Sequence, residues 1–444
     1  KGTEDNRVRK LDYSIQLSEL FYQRFIDNKE ISLFSPHDCP NLYESFGTDK
    51  FDDLYCSYEA DESIPRTTIG AQELILDLLK ERAETGRIYI MNIDHCNSHS
   101  SFKDKVYMSN LCQEITLPTL PISHIDDHLG EIALCILSAV NVGKIRNDEE
   151  LEELCDLSVR GLEELIDYQR YPVKAAELAT KARRSLGVGF IGLAHYLAKL
   201  GYKYDSQEAW DAVHGLSESF QYYLLKSSNK IAEEKGWCEN FGRTKYADGI
   251  LPIDTYKKDV DEICSPQLEH DWESLRASIL KHGLRHSTLS AQMPSESSSV
   301  VCNATNGIEP PRDYLSIKKS KKGPLKQVVP SYGTLKNNYT LLWDMEGNKG
   351  YINVVSVMQK FFDQAISGNW SYNPEQYDGS EVPTSIMAND LLTTYKYGWK
   401  TSYYQNTHDM KSDEVGDDNQ SKLDSLIDEI TSSNDEEECE SCAI

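Results

Sequence analysis

The 444-residue sequence has no apolar run approaching the length of a membrane-spanning helix, and its hydrophobic content of 39% is that of a globular protein. The N-terminal stretch KGTEDNRVRK is polar and charged, which does not fit a signal peptide. The 11 cysteines lack the spacing of a disulfide framework, which is typical of a reduced intracellular protein. We therefore expect a cytoplasmic protein.

Basic residues are also in short supply. Lysine and arginine number 46 against 72 acidic residues, and the formal charge at pH 7 is −26. Nucleic-acid binding depends on clustered Lys and Arg, so this balance argues against nucleic acid as a partner. Much of the negative charge is local, with 13 acidic residues and two lysines from Asp409 onward. We expect residues 1–405 to form the folded domain and residues 406–444 to form an acidic, flexible tail.

An initiator methionine is absent as well, and the chain enters a helix-like stretch almost at once. This beginning predicts the C-terminal piece of a longer polypeptide, separated by a split gene, by processing or by cloning.

Hydrophobic periodicity predicts a mixture of helices and strands, and hence an α/β architecture with helices outside strands. The predicted strands are 87–94 and 399–405. The predicted helices are 12–28, 68–86, 148–168, 173–186, 192–200, 206–235, 353–367 and 384–397.

The segment SNLCQEI, residues 109–115, places an amide, a thiol and a carboxylate at alternate positions. In an extended chain, residues i, i+2 and i+4 point the same way, so Asn110, Cys112 and Glu114 would converge on one point. Such a convergence is either ordinary packing or part of an active site.

Two other motifs favour structural interpretations. GVGFIG (187–192) matches the glycine pattern of a dinucleotide site, but a helical stretch precedes it where a strand is required, which favours tight backbone packing. DHCNSHS (94–100) offers acidic, histidine and cysteine side chains as metal ligands. No second ligand pair with zinc spacing follows, so packing and hydrogen bonding at a strand end are preferred over a metal site.

The segment MPSESSSVVCNATNGIEPP (293–311) opens with a proline, serines and a glutamate where a helix could begin. Backbone N–H groups at such a start can bind a phosphate without a lysine. An ordinary Ser-rich capping loop is the alternative.

Two features near the C-terminus can carry redox chemistry. CESC (439–442) is a dithiol on an acidic tether, which suits a redox shuttle; chance or weak metal binding are the alternatives. YYQN (403–406) places two tyrosines at the end of a predicted strand, where packing is the default and stepwise transfer of an electron and a proton the rarer role. Neighbours in a regular strand point to opposite faces, so stacking of this pair would need an irregular backbone.

Ordered motifs along nearly the whole chain resemble the large, catalytic subunit of class Ia ribonucleotide reductase. They are GTEDNRVR (2–9), LFSPHD (33–38), TGRIYI (85–90), DHCN (94–97), SNLC-x-E (109–114), GEIALC (130–135), LPIDTYKKD (251–259), HGLR-x-ST (282–288), MPSE-x-SS (293–299), NATNGIEPPR (303–312), LLTTYKYG (391–398) and YYQNT (403–407).

The resemblance implies an incomplete ten-stranded α/β barrel with Cys112 on a central loop and a flexible C-terminal tail. It implies an oxidoreductase of deoxyribonucleotide biosynthesis for DNA replication. The reaction would reduce ribonucleoside diphosphates to 2′-deoxyribonucleoside diphosphates by a thiyl-radical mechanism.

The resemblance also assigns roles. Cys112 becomes the thiyl radical that removes the 3′ hydrogen of the substrate ribose, Glu114 is the base for the 3′ hydroxyl, and Asn110 orients the sugar hydroxyls. Cys135 is one of two cysteines that supply reducing equivalents and become a disulfide. The remaining residues bind the substrate diphosphate (Pro294, Ser295, Glu296, Ser297 and Ser298), relay the radical (Tyr403 and Tyr404) and reduce the active-site disulfide (Cys439 and Cys442).

The family places the redox partner of Cys135 upstream of this chain. Upstream too are the N-terminal helical domain, part of the substrate site and most sites for effectors such as ATP, dATP and dTTP. The resemblance therefore implies three partners: an N-terminal polypeptide of the large subunit, a small subunit with an iron–tyrosyl radical centre, and thioredoxin or glutaredoxin. No cofactor or metal is expected to bind directly to this chain.

Three alternatives stay open. A glycyl-radical enzyme shares the barrel but needs a glycine radical loop near its C-terminus, where this chain has a dithiol. A cobalamin-dependent reductase needs no tyrosine relay. An inactive fragment would only dock the small subunit, through the predicted helices 12–28 and 384–397.

Overall fold

The computed structural model describes residues 11–320 and 323–408. Its strands are β1 Ser14–Leu17, β2 Glu30–Phe34, β3 Arg66–Gly70, β4 Tyr89–Asn92, β5 Ile136–Asn141, β6 Leu186–Ile191, β7 Leu315–Ser320, β8 Gly323–Val328, β9 Trp370–Tyr372, β10 Thr401–Ser402 and β11 Gln405–Thr407. Its α-helices are α1 Glu19–Ile26, α2 Leu42–Ser45, α3 Phe51–Ala60, α4 Ala71–Thr85, α5 Ile93–Ser98, α6 Asp148–Tyr168, α7 Lys174–Arg183, α8 Leu193–Leu200, α9 Gln207–Lys235, α10 Pro252–Thr255, α11 Trp272–His282, α12 Glu296–Val301, α13 Tyr332–Leu335, α14 Lys349–Gln359 and α15 Thr384–Lys396.

The strands that build the site form one continuous row. β5 pairs in parallel with β6, and segment 288–292 is bridged in parallel to the other side of β6. Segment 364–368 is bridged in parallel to 288–292 and leads into β9, which pairs in parallel with β11. β10 directly precedes β11 and pairs antiparallel with β4, which in turn pairs in parallel with β1. Within the described residues, a run of parallel segments is thus followed by β4 and β1 in the opposite direction.

Helices cover this row, which explains why β6 carries no polar alternation. Every residue of β6 is buried, as expected for a parallel strand with both faces covered. The mixed α/β architecture predicted from periodicity is confirmed. None of the helices in residues 11–320 and 323–408 is both long and apolar enough to cross a membrane.

Helix ends follow their local chemistry. Asn147 caps α6 by accepting a hydrogen bond from the backbone N–H of Glu150, at 3.0 Å, and Ser206 caps α9 in the same way. Gly86 ends α4 with a φ of 68°, a left-handed conformation that glycine adopts without strain. The two caps account for the agreement between predicted and observed helices at 148–168 and 206–235, and Gly86 accounts for the end of the helix predicted at 68–86. The helix predicted at 384–397 is observed as α15.

Two predicted helices differ most from the structure, and a smaller difference occurs at 68–86, where residues 68–70 belong to β3 and α4 begins at Ala71. Within 12–28 only α1 is helical, because the first residues form β1 and gain a hydrogen-bonded ladder with β4. Within 353–367 the helix α14 ends at Gln359, because the backbone N–H of Gln364 donates to the carbonyl of Ser290 at 3.1 Å instead of continuing the helix. In both cases pairing with a distant strand outweighs local helix propensity.

Candidate active site

SNLCQEI forms a tight turn and not the extended segment that the alternation argument assumed. The backbone N–H of Gln113 donates to the carbonyl of Asn110 at 3.2 Å, and the Asn110 Oδ1 accepts from the N–H of Ile115 at 3.0 Å. Gln113 has a φ of 71°, in the left-handed region. The turn, rather than strand alternation, brings the amide of Asn110 into contact with the carboxylate of Glu114.

Segment 364–368 anchors this turn. The backbone N–H of Ala365 donates to the carbonyl of Glu114 at 3.0 Å. The Ser367 hydroxyl lies 2.5 Å from the carbonyl oxygen of Cys112 and 3.2 Å from Glu114 Oε2, so it can donate to either. Hydrogen bonds at Cys112 and Glu114 therefore hold the turn against segment 364–368 of the strand row.

Glu114 has the environment of a general base. Burial raises the pKa of its carboxyl, and hydrogen bonds from Asn110 and Ser367 only partly oppose this rise. A carboxylate with a raised pKa accepts a proton more readily than an exposed one.

Cys112 is half-buried and contacts one phenol. The Tyr403 hydroxyl donates to Cys112 Sγ at 3.4 Å. Burial raises the pKa of the Cys112 thiol, the hydrogen bond from Tyr403 lowers it, and the charge of Glu114 raises it further. Burial likewise raises the pKa of Tyr403. Both groups therefore carry their hydrogens at neutral pH, which suits transfer of a hydrogen atom better than nucleophilic attack by a thiolate.

Tyr403 and Tyr404 contact each other through their rings. The ring centroids are 3.9 Å apart with an interplanar angle of 45°. The two residues fall between β10 and β11, which confirms that contact within this pair needs irregular backbone. Arg82 is buried and stabilises this irregularity by donating to the carbonyls of Tyr403, at 2.8 Å, and Tyr404, at 3.2 Å.

A third tyrosine completes the aromatic group. The ring of Tyr89, on β4, lies 4.7 Å from that of Tyr403 and 5.6 Å from that of Tyr404. Tyr89 is buried and Tyr404 is 36% exposed, so the group extends from the thiol to the surface. Burial raises the pKa of Tyr89 as well.

Cys135 directly precedes β5, the first strand of the row. The Cys112 turn is bonded to another segment of the same row, 364–368. The Gln364 side chain donates to Cys135 Sγ at 3.5 Å. Burial raises the pKa of the Cys135 thiol to about 12, against the lowering effect of this hydrogen bond. Gly187 leaves room for the sulfur, since a Cβ at that position would lie 2.9 Å from Cys135 Sγ.

A cavity of about 710 Å³ is lined by Ser367 and Tyr403, which both contact Cys112, whereas Asn110, Cys112, Glu114 and Cys135 are not among its lining residues. Pro294, Ser295 and Glu296 line it too, and Ser295 is the N-terminal cap residue of α12. The predicted helix start in the Ser-rich segment is thus confirmed. Ser297 and Ser298 are exposed on the first turn of α12.

No role is assigned from the sequence to six residues that contact the thiols or the tyrosines or line the cavity: Tyr89, Ser367, Gln364, Arg82, Asn369 and Glu309. Tyr89 lies in TGRIYI, which indicates only a strand and a family motif. Ser367 and Gln364 lie at the end of the stretch predicted to be helical, and no local pattern indicates that they contact a thiol-bearing segment. Asn369 accepts from the backbone N–H of Tyr404 at 3.0 Å and donates to Glu309.

The motifs GVGFIG and DHCNSHS take part in packing and hydrogen bonding within the fold. Gly187 and Gly189 of GVGFIG lie in β6, and Gly192 is the N-terminal cap residue of α8. A Cβ on Gly189 would come within 2.6 Å of the carbonyl oxygen of Ala291, which confirms tight packing. In DHCNSHS, His95 Nδ1 lies 3.0 Å from the carbonyl oxygen of Trp399, and His99 contacts Thr255 and the carbonyl of Gln359. No group of three or more potential metal ligands occurs within residues 11–320 and 323–408. Cys439 and Cys442 lie outside the described residues.

A half-buried cysteine turn beside parallel strands, with a carboxylate, an amide and a tyrosine group around it, is consistent with the family resemblance of the sequence motifs. Comparison with known families agrees: the model described as "Ribonucleotide reductase, barrel domain" matches residues 1–405. The chain therefore belongs to the ribonucleotide reductase family.

Similar curated proteins bear consistent names. The ribonucleoside-diphosphate reductase subunit alpha of Haemophilus influenzae is 57% identical over 418 residues, 93% of this chain and 55% of that protein. The ribonucleoside-diphosphate reductase 1 subunit alpha of Escherichia coli is 51% identical over 422 residues, 94% of this chain and 56% of that protein. The subunit alpha of Enterobacteria phage T4 is 43% identical over 419 residues, 92% of this chain and 55% of that protein. The chain spans about half the length of the curated relatives it matches.

Proposed function

We propose that this chain supplies the radical-bearing half of a ribonucleoside-diphosphate reductase large subunit. The observation that carries the proposal is the hydrogen bond of 3.4 Å from the Tyr403 hydroxyl to Cys112 Sγ, in a turn that also holds Glu114 and Asn110. The relatives are named for reduction of ribonucleoside diphosphates, which supports this substrate class.

The proposed chemistry starts with a radical that reaches Tyr404, then Tyr403, and takes the hydrogen atom from Cys112. The Cys112 thiyl removes the 3′ hydrogen of the ribose while Glu114 accepts the proton of the 3′ hydroxyl. The 2′ hydroxyl then leaves as water. Cys135 and a second cysteine supply two electrons and two protons and become a disulfide, and the 3′ position recovers its hydrogen from Cys112.

Substrate binding is proposed at the cavity of about 710 Å³. The loop from Pro294 to Ser298 holds the diphosphate at the start of α12, and Asn110 orients the sugar hydroxyls. The cavity is large enough for a nucleotide, and the contacts that Ser367 and Tyr403 make with both the cavity and Cys112 support a ribose position near that thiol.

The partners are part of the proposal. An N-terminal polypeptide supplies the second redox cysteine and most effector sites, completing a ten-stranded barrel. A small subunit generates the radical at its iron–tyrosyl centre. Thioredoxin or glutaredoxin recharges Cys439 and Cys442 in the tail, 406–444, and the assembly works in the cytoplasm.

Reconstitution tests this assignment. We expect conversion of CDP to dCDP when the chain is mixed with the N-terminal polypeptide, the small subunit and a thioredoxin system, and no turnover when the N-terminal polypeptide is left out. Robust turnover without it would contradict the division of the site between two chains. Binding of the small subunit without turnover in the complete mixture would instead favour a docking fragment.

The tyrosine relay gives a separate prediction. Tyr403→Phe keeps the ring contacts with Tyr89 and Tyr404 but removes the hydroxyl that donates to Cys112. We therefore expect turnover in the reconstituted enzyme to fall to background while the melting temperature stays near that of the parent.

Tyr168→Phe is the matched control, because Tyr168 is 88% exposed at the end of α6, and it should keep parental turnover. Parental activity in Tyr403→Phe would show that the radical reaches Cys112 without this phenol.

A further inference from the structure

Gln364 is a fully buried glutamine between the two candidate cysteines. Its Nε2 lies 3.5 Å from Cys135 Sγ and 2.9 Å from the carbonyl oxygen of Leu186, so the amide donates to both. Its Oε1 accepts from the backbone N–H of Thr116 at 3.2 Å, just after the Cys112 turn. The Nε2 of this side chain is therefore bonded to Cys135 and to β6, and its Oε1 to the segment that follows the Cys112 turn.

The backbone of Gln364 is held as firmly as its side chain. Its N–H donates to the carbonyl of Ser290 at 3.1 Å. Its carbonyl accepts from Lys400 Nζ and from Gln359 Nε2, each at 2.9 Å. A rotation of the Gln364 side chain would break at least one bond to each thiol-bearing element, so the amide has a single favourable orientation.

We propose that Gln364 is a positioning residue that fixes the Cys135 sulfur relative to the Cys112 turn and donates a hydrogen bond to that sulfur. The amide would stabilise the thiolate form of Cys135, which is the form that enters disulfide chemistry. The charged groups that act on this sulfur are Glu114 and Asp363, and both disfavour the thiolate, so the hydrogen bond from the neutral Gln364 amide opposes them. The importance of this position for turnover rests on the proposed function, whereas the contacts themselves do not.

Alkylation of Cys135 tests the inference without any turnover assay. The full chain and its Gln364→Leu variant are treated with iodoacetamide at pH 8, and peptide mass mapping follows Cys135 over several hours. Because one hydrogen bond to the thiolate is lost, we expect alkylation to slow by about three- to tenfold. A purely structural role would loosen the site and speed alkylation, so an unchanged or faster rate overturns the proposal.

Amide hydrogen exchange provides the second readout. Gln364→Leu removes the acceptor for the Thr116 N–H, so the peptide that contains residues 110–116 should exchange faster. Gln364→Glu keeps that acceptor and places a carboxylate beside the sulfur. It should slow alkylation and leave exchange of this peptide unchanged, which also covers the case in which the leucine variant fails to fold.

Gln292→Leu is the matched control. Gln292 is an equally buried glutamine on the adjacent segment, and its amide bonds to the backbone of Phe190 and Met293 rather than to a cysteine. We expect this variant to leave Cys135 alkylation at the parental rate. A similar slowing in both variants would show that the effect does not depend on the hydrogen bond to Cys135 and would overturn the proposal. Failure of the reductase assay with these alkylation results intact would count against the proposed function alone.

Discussion

Cys112→Ser is expected to lower CDP reduction in the reconstituted enzyme by at least about 10³-fold. Serine Oγ can still accept the hydrogen bond from Tyr403, and it fits the same turn, so the local geometry is kept. The O–H bond of serine is much stronger than an S–H bond, so a phenol radical cannot take its hydrogen. The measurement is conversion of labelled CDP to dCDP with all partners present.

The control is Cys56→Ser, an exposed cysteine on α3, which should keep parental turnover. Binding of the small subunit, measured by sedimentation, should be the same for both variants and the parent. Substantial dCDP formation by Cys112→Ser would remove Cys112 from the radical path. Loss of small-subunit binding in that variant would show that the substitution has disturbed more than the thiol.

SNLCQEI illustrates how far the sequence could be used. The residue types were sufficient to single out Asn110, Cys112 and Glu114, but the alternation argument assumed the wrong backbone. The observed turn depends on the left-handed conformation of Gln113 and on contacts with segment 364–368, and neither is encoded within seven residues. The candidate residues were accessible locally and their roles were implied by the family resemblance, whereas the geometry required a partner about 250 residues away.

The same division explains the helices. Long amphipathic helices such as α6 and α9 were predicted because their period and caps are local. The end of α14 was not predicted because it depends on distant contacts. Gln364 pairs with Ser290 of the strand row, and Ser367 bonds to the Cys112 turn. Gln364 and Ser367 thus connect distant elements in a stretch where local helix propensity predicts the wrong structure, and their contacts position the Cys112 turn.

The largest effect on stability is expected at Glu163, which joins α6 to the segments that lead into β6 and 288–292. Its carboxylate is buried and accepts from Arg184 Nε at 2.7 Å, Arg285 Nε at 2.7 Å and His286 Nε2 at 3.0 Å. Burial alone would raise the pKa of Glu163, but the hydrogen bonds from His286 and Arg184 outweigh it and hold the pKa well below its usual range. Burial also lowers the pKa of His286, so the neutral imidazole donates to the carboxylate.

Glu163→Gln should therefore lower the free energy of unfolding at pH 7 by about 3–5 kcal/mol, because it leaves buried cationic groups without their counter-charge. Denaturant unfolding of the full chain, followed by circular dichroism, measures this loss. Glu164→Gln is the matched control: its pair with Lys235 is exposed, so the loss should stay below about 1 kcal/mol. Equal losses in the two variants would contradict a special role for the buried carboxylate.

The pH dependence follows from the same contacts. As the pH falls below the ordinary glutamate value of 4.5, Glu163 binds a proton in the unfolded chain but not in the folded one, so acid favours unfolding. The stabilisation from Glu163 is thus present at neutral pH and is lost progressively below about pH 4.5. Glu163→Gln should flatten the acid limb of the stability profile, whereas Glu164→Gln should leave it nearly unchanged. An acid limb of parental steepness in Glu163→Gln would mean that other carboxylates, and not this cluster, hold α6 against the segments that lead into β6 and 288–292.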